Sequence, residues 1–240
     1  MNIKFVVCLL ILSCYGITNR GLFAQSSAVD FQQYPNAIYE DYLVHHLYKG
    51  RQFIPYLLTA TGSPNFKGLD MIDDGVVIYD GLKYENVPLM YNLMDDVVVS
   101  RHPDRMVNLI LESHLVSHFK IGDDVFIRVS VEHPELNPGF YQLIYSGDNF
   151  LALAKFRKEV KDYRSGSSLE RRYTQSSNFY VNDLRTDQGF VEVGRHSDIL
   201  KIDRDERSAV RRLLRNLSLR FRSMPEHTIV TALTFLEETN

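Results

Sequence analysis

The chain has 240 residues, of which 45% are hydrophobic and 24% are charged, and its formal net charge is −3. These values are ordinary for a globular protein, so they exclude wholesale disorder, and the length fits one domain or a domain with a small appendage. Residues 25–150 carry 8 basic and 17 acidic side chains, whereas residues 151–240 carry 17 basic and 13 acidic ones. The halves can therefore complement each other, or the basic half can present a face to anionic lipid or polysaccharide.

The first 24 residues have the pattern of a secretory signal peptide. Lys4 precedes an apolar run at residues 5–15, and Ala24 supplies a small residue for cleavage. The run is shorter than the roughly 20 apolar residues that span a bilayer, so we expect no transmembrane span in the mature chain. A buried N-terminal helix or strand is the alternative, but nothing nearby would cap it.

Residues 11–14 offer a second way to process the leader. They read Ile-Leu-Ser-Cys and resemble a bacterial lipobox, in which lipidated Cys14 would become the first residue and anchor the protein to a membrane surface. Leu12 is larger than the usual residue at its position, so plain cleavage is the leading expectation. Cys8 and Cys14 are the only cysteines, and the mature chain therefore has no disulfide or thiol nucleophile.

Residues 25–74 form an irregular lead-in, for which we expect one or two short strands and a loop around residues 62–65. From Gly75 onward, short strands alternate with turn-forming residues, which is typical of an antiparallel meander. The strongest signal is Asp-Gly at 80–81 between residues 76–79 and 82–87, because a tight hairpin turn needs positive φ. Further strands are predicted at 89–93, 97–100, 107–111, 115–121, 125–131, 140–145, 150–156, 179–181 and 190–193. The polar stretch 155–177 is predicted to be an exposed excursion.

Two helices are predicted after the strands, at residues 203–220 and 225–238. Asp203 and Glu206 have the spacing of a capping box, and Pro225 suits the first position of a helix. Apolar residues recur at i, i+3, i+4 and i+7 in both segments, at Val210, Leu213, Leu214 and Leu217 and then at Ile229, Ala232, Leu233 and Leu236. The prediction is an α+β domain over residues 75–240, with a mainly antiparallel curved sheet or half-barrel and a C-terminal pair of helices.

Four stretches of the sequence resemble a signature of uncharacterised exported bacterial envelope proteins. They are residues 47–50, 75–93, 139–145 and 197–201, and the resemblance extends over most of residues 45–237. It implies a β-rich fold and an exported location, and it carries no known activity. The chain has Asn92 where the signature would have Asp, which argues against an essential carboxylate there.

Three patterns suggest catalytic or metal chemistry, and each has a simpler explanation. His114 and His118 stand four apart, as zinc ligands do on a helix, but they lie in a predicted strand. Ser117 and Lys120 match the S-x-x-K pattern of penicillin-recognising enzymes, but residues three apart in a strand point to opposite faces. The pairs Asp73-Asp74, Asp95-Asp96 and Asp123-Asp124 could offer oxygen ligands to calcium, but turns favour Asp at such positions. We expect no catalytic, cofactor or metal site from these patterns.

Arg207, Arg211 and Arg215 recur at i, i+4 and i+8 and line one face of the first helix. They could contact phosphate groups of lipid or lipopolysaccharide, or form a solvated face that complements the acidic half, which is the interpretation the charge pattern favours.

The expected function is a non-catalytic accessory or binding protein of the periplasm or outer-membrane periphery, or a secreted one, with an envelope protein, lipid or glycan as partner. Nucleic acid is an unsuitable partner for an exported chain of net negative charge. Two alternatives stay open. One is an envelope hydrolase assembled from distant residues such as Ser117, His114 and Asp123, and the other is a structural component of an outer-membrane assembly.

Overall fold

A computed structural model describes residues 29–37, 46–55, 59–130, 135–165 and 168–239. The leader, with Ala24 and Cys14, lies outside these residues. The described strands are β1 (Ile72–Tyr79), β2 (Leu82–Asn92), β3 (Val97–Arg101), β4 (Asn108–Ile110), β5 (Val116–Ile121), β6 (Asp124–Val129), β7 (Gly139–Ser146), β8 (Phe150–Ser165), β9 (Ser168–Asp183) and β10 (Phe190–Glu192). The described α-helices are α1 (His196–Ile199), α2 (Arg207–Asn216) and α3 (Pro225–Thr239), and two short 3₁₀ helices lie at Phe31–Gln33 and Phe66–Gly68.

The ten strands form one antiparallel sheet in the order β10-β9-β8-β7-β6-β5-β1-β2-β3-β4. The chain enters near the middle at β1, builds one side through β4, and returns at β5 to build the other side. The sheet is strongly curved, since Leu93 O after β2 accepts a 3.2 Å hydrogen bond from Lys158 N of β8, although four strands lie between β2 and β8. The predicted α+β fold with a curved antiparallel sheet is confirmed.

Aromatic rings fill the concave side of the sheet. Phe119 and Phe126 stack with centroids 4.7 Å apart, and Tyr91, Phe140 and Phe66 pack around them at 5.0–5.3 Å. Such edge and stacked arrangements contribute about 0.5–1.5 kcal/mol per pair beyond area burial. The curved interior is therefore a packed core.

Helix α3 covers this core over β7 and β8. Its predicted stripe is confirmed, because all four of its residues are fully buried: Ile229, Ala232, Leu233 and Leu236. Among the described residues, even α3, with 15 residues, falls short of the length and apolarity of a membrane-spanning helix.

Several predicted boundaries differ from the structure. The strands predicted at 82–87 and 89–93 are one strand, β2, which continues past Pro88 and ends at Asn92. Pro88 lies at the register shift between the pairs Ile72↔Leu89 and Gly75↔Val87, where a missing backbone N–H is tolerated. The described residues of the lead-in before β1 form isolated bridges such as Asn65↔Asn92, and residues 38–45 and 56–58 lie outside the described part of the chain.

The excursion predicted at 155–177 is instead a regular hairpin. Beyond Phe156, β8 and β9 pair with each other residue by residue as far as Ser165↔Ser168. Charged and polar side chains occupy both faces of this arm, and cross-strand contacts such as Arg171 Nε to Asp162 Oδ1 at 3.2 Å accompany the backbone pairing. The sequence pattern did not predict these strands, because polar side chains on both faces leave no apolar–polar alternation.

The first predicted helix is shorter than residues 203–220. Asp203 Oδ1 accepts hydrogen bonds from the backbone N–H groups of Asp205 and Glu206 at 3.0 and 3.2 Å, so it closes the turn before the helix, and α2 begins at Arg207. The helix ends at Asn216, and Leu217, expected in the buried stripe, is 53% exposed.

Candidate anionic-ligand face

Helix α2 separates its apolar and cationic residues cleanly. Val210 and Leu214 are buried against the core, while Arg207, Arg211 and Arg215 are exposed on the outer side. We call these three residues the arginine face. No described acidic side chain lies within ion-pair distance of any of the three, so their guanidinium groups remain available to an external anion. The expected complementation by the acidic half is not formed through ion pairs in the part of the chain that the structure describes.

The chain after α2 turns back through a Schellman motif, in which a left-handed residue ends the helix. Ser218 has φ +54, and the N–H groups of Ser218 and Leu219 bond to the carbonyls of Arg215 and Leu214 at 3.0 and 2.9 Å. Leu219 is buried as a result. The motif directs Arg220 and the residues after it toward the end of β9.

An open cleft of about 840 Å³ lies beside this turn. One wall is apolar and includes Phe179 of β9 and Phe221, whose rings meet edge to face at 6.0 Å and 79°. The rim is basic and is lined by Arg195, His196, Arg220 and Arg222. We call it the basic cleft.

The acidic groups near the basic cleft are already engaged. Glu192 Oε1 accepts a 2.7 Å hydrogen bond from Asn178 Nδ2. Asp198 Oδ1 lies 2.9 Å from Lys201 Nζ and 3.5 Å from Arg195 Nε. The hydrogen bond from Lys201 is the main reason that the pKa of Asp198 is lowered, so Asp198 is ionised and neutralises part of the charge of Arg195 and Lys201.

The arginine face and the loop side of the basic cleft belong to one basic segment, residues 207–222. Residues 207–222 contain six arginines and no aspartate or glutamate, and all six arginines are exposed. Guanidinium groups donate hydrogen bonds in a planar fork that matches phosphate and carboxylate oxygens. The arrangement can bind an anion, and the described residues around it include no paired base and nucleophile.

The residues proposed for a hydrolase do not come together. His114 is exposed in the turn before β5, where its Nδ1 lies 3.8 Å from Glu112, and Asp123 is exposed in the turn after β5. The intervening strand of six residues separates them by roughly 20 Å at 3.3 Å per residue. Ser117 Oγ is 3.1 Å from His118 Nδ1, but no described carboxylate contacts that imidazole.

His118 has an aromatic environment instead of a catalytic one. The rings of Phe31 and Tyr34 lie with centroids 6.4 and 5.8 Å from its own. Burial lowers the pKa of His118, so the neutral form is favoured. Ser117 and Lys120 lie on β5 and not on a helix, and Ser117 lies at the register shift between the pairs Ile78↔His118 and Tyr79↔Val116.

The three aspartate pairs lie in different elements of the fold, namely β1, the β2–β3 turn and the junction of the β5–β6 turn with β6. Asp73-Asp74 lies in β1 at the register shift, where a turn was expected. Asp124 binds Lys67 Nζ at 2.7 Å and Gln142 Nε2 at 2.8 Å. Asp96 binds Lys155 Nζ at 2.6 Å. Among the described residues, no group of three or more His, Cys, Asp or Glu side chains is placed to hold a metal ion.

Sequence reasoning found the arginine face but missed the basic cleft. Phe179, Arg195 and Phe221 come from separate elements, and no spacing rule links them. The signal that could have extended the site is the absence of acidic residues from 207 to 222.

No protein-family model, no curated protein and no solved structure matches the chain.

Proposed function

We propose that this protein is an exported, non-catalytic binding protein of the cell envelope that contacts an anionic surface through the arginine face. The observation that carries the proposal is the run of six exposed arginines without an acidic residue at 207–222. The leader-like first 24 residues support an exported location, in the periplasm, at the outer-membrane periphery or outside the cell.

Exposed apolar groups next to the arginines favour a lipid surface over a purely polar polyanion. Leu217 and Met224 are 53% and 44% exposed and flank the loop that carries Arg220 and Arg222. A basic helix with apolar residues at its border is typical of contact with anionic membranes. Because aromatic rings fill the concave side of the sheet, we propose a lipid contact on the outside of the fold.

The arginine face should contribute enough binding free energy for its contact with an anionic membrane to be measured. A Lys or Arg next to an anionic membrane contributes about 1 kcal/mol at moderate ionic strength, so the arginine face supplies about 3 kcal/mol, or roughly a hundredfold in affinity. The contribution falls with added salt, because the Debye length shortens to roughly 3 Å at 1 M.

Co-sedimentation with lipid vesicles tests the proposal. Wild-type protein should sediment with vesicles of phosphatidylglycerol and phosphatidylcholine but not with phosphatidylcholine alone. The triple variant Arg207→Gln, Arg211→Gln, Arg215→Gln should lose most of this binding. A charge-matched control is Arg51→Gln, Arg105→Gln, Arg164→Gln, which removes three exposed arginines elsewhere and should bind like wild type. Equal binding by both triple variants would refute the role of the arginine face.

Two further measurements address location and the remaining alternative. The mass of the N-terminus of protein isolated from cells distinguishes cleavage after Ala24 from lipidation at Cys14. A structural role in an outer-membrane assembly predicts stable co-purification with one protein partner from envelope extracts. The proposed lipid contact predicts instead that the isolated protein binds vesicles without any partner.

A further inference from the structure

We propose that the basic cleft binds the phosphate headgroup of one anionic lipid molecule, with the first part of its alkyl chain against the Phe179–Phe221 wall. This inference rests on the proposed function and specifies the ligand of that surface. The basic cleft would bind one lipid molecule at a defined position, whereas the arginine face would attract an anionic surface without a defined position.

The charge of the cleft fits a phosphate. Arg220 and Arg222 have no ion-pair partner among the described residues, and both line the cleft. The carboxylate in the lining, Glu192, is held by Asn178. Arg195 shares Asp198 with Lys201, so Arg220 and Arg222 supply the charge for the ligand. Two guanidinium forks from one short loop can bind the oxygens of a single phosphate.

The shape and apolar wall fit a lipid better than a free ion. A volume of about 840 Å³ is in the range of small-molecule sites, which is roughly 300–1,000 Å³, and is much larger than inorganic phosphate needs. Phe221 is only half-buried, so part of its ring remains open beside Phe179. Alkyl carbons lying on these rings would be removed from water, and inorganic phosphate would gain nothing from them.

The cleft is held in shape by the backbone. Val193 N–H bonds to Phe179 O at 2.8 Å and fixes the strand-side wall, and the N–H of Leu219 bonds to Leu214 O at 2.9 Å and fixes the loop-side wall. Arg220 O then accepts hydrogen bonds from Ser223 N and Met224 N at 3.1 and 3.0 Å, which closes the loop. Both walls are thus positioned before a ligand arrives, so little ordering entropy opposes binding.

Calorimetric titration with soluble alkyl phosphates tests the inference. Dodecyl phosphate, below its micelle concentration, should bind with one-to-one stoichiometry, and butyl phosphate and inorganic phosphate should bind progressively more weakly. The variant Arg220→Gln, Arg222→Gln should bind dodecyl phosphate roughly a hundredfold more weakly, since each charged hydrogen bond is usually worth about a factor of ten. The variant Arg51→Gln, Arg105→Gln removes the same charge from exposed positions outside the basic cleft and the arginine face, and it should keep wild-type affinity.

The outcomes separate the cleft from the proposed function. Equal affinity for dodecyl phosphate in the Arg220/Arg222 variant and wild type, or no gain with chain length, would overturn the cleft site even if anionic vesicles still bind. One-to-one binding of dodecyl phosphate without binding to anionic vesicles would leave the cleft site standing and overturn the surface role of the arginine face.

Discussion

The buried ion pair between Asp96 and Lys155 provides a sharp test of how the curved sheet is held together. Asp96 lies in the β2–β3 turn, and its Oδ2 is 2.6 Å from Lys155 Nζ of β8. Tyr91 OH donates to Asp96 Oδ1 at 2.5 Å, and Lys155 Nζ donates to Phe140 O at 3.0 Å. The side chains of Lys155 and Asp96 are 11% and 29% exposed. This network therefore joins two distant parts of the sheet in a largely dry environment.

Replacing Asp96 and replacing Lys155 should lower the free energy of unfolding by different amounts. Asp96→Asn keeps the positive φ of 57, which Asn tolerates, but leaves the Lys155 charge buried without its counter-ion, so we expect a loss of about 3 kcal/mol. Lys155→Met leaves Asp96 with the Tyr91 hydroxyl and partial access to water, so we expect about 1–2 kcal/mol. The double variant removes both charges and should lose about 1.5–2 kcal/mol less than the sum of the single losses.

The pKa of Lys155 sets the pH dependence of this experiment. Burial lowers it from 10.5, and Asp96 partly offsets the burial. A base with a lowered folded pKa binds fewer protons when folded, so the free energy of unfolding rises with pH between the folded pKa and 10.5. Without Asp96, that rise should begin at lower pH, and the Asp96→Asn deficit should shrink in alkaline buffer.

Urea denaturation at neutral and alkaline pH measures these quantities in wild type, both single variants and the double variant. Additive losses, within about 0.5 kcal/mol, would show that the two groups do not interact. A deficit of Asp96→Asn that stays constant as the pH rises would show that Lys155 is not the buried charge responsible.

Three further outcomes follow from single positions. Gly139 has φ +141, and an added Cβ would overlap Asp96 Oδ2. Gly139→Ala should therefore lower the free energy of unfolding by about 2–3 kcal/mol. The control Gly194→Ala, where an added Cβ meets nothing within 4 Å, should change it by less than about 0.5 kcal/mol. Burial would raise the pKa of Asp203, but its hydrogen bonds outweigh burial and lower the pKa. Asp203→Asn should therefore lower the free energy of unfolding by about 1 kcal/mol at neutral pH. This difference from wild type should vanish as the pH falls through the pKa of Asp203 in the folded protein. Burial lowers the pKa of His118 below 6.5, so wild type should lose stability as the pH drops below 6.5, and thermal melts of His118→Gln should lack that component.

The sequence predicted those elements whose apolar pattern is local. The stripe of α3 and the strands around Asp80-Gly81 bury one face each, and periodicity reports burial directly. The arm of β8 and β9 beyond Phe156 has no apolar face, so the same rule placed no strand there. Leu217 was predicted to be buried although it is exposed. Its spacing fits the apolar stripe of α2, but the left-handed turn at Ser218 ends the helix before this residue.

Side-chain partners far apart in the sequence could not be predicted. Asp95 and Asp96 look equivalent in a turn, and nothing in the sequence shows that Asp96 binds Lys155, 59 residues away. That meeting depends on how strongly four intervening strands curve, which is a property of the assembled sheet. Gly139 gains its importance in the same way, since its neighbours Asp96 and Lys155 come from the β2–β3 turn and from β8.

The basic face illustrates how composition and geometry contribute separately to a binding site. The spacing of Arg207, Arg211 and Arg215 places their charges on one helix face wherever the helix packs, so their exposure depends only on which stripe is buried. The cleft requires more, because Phe221 has to leave the helix direction and meet Phe179 of β9. The Schellman turn after α2 makes that change of direction. The Schellman turn therefore adds the apolar Phe179–Phe221 wall beside the charged helix. Selectivity for an amphiphile over a simple anion depends on that turn.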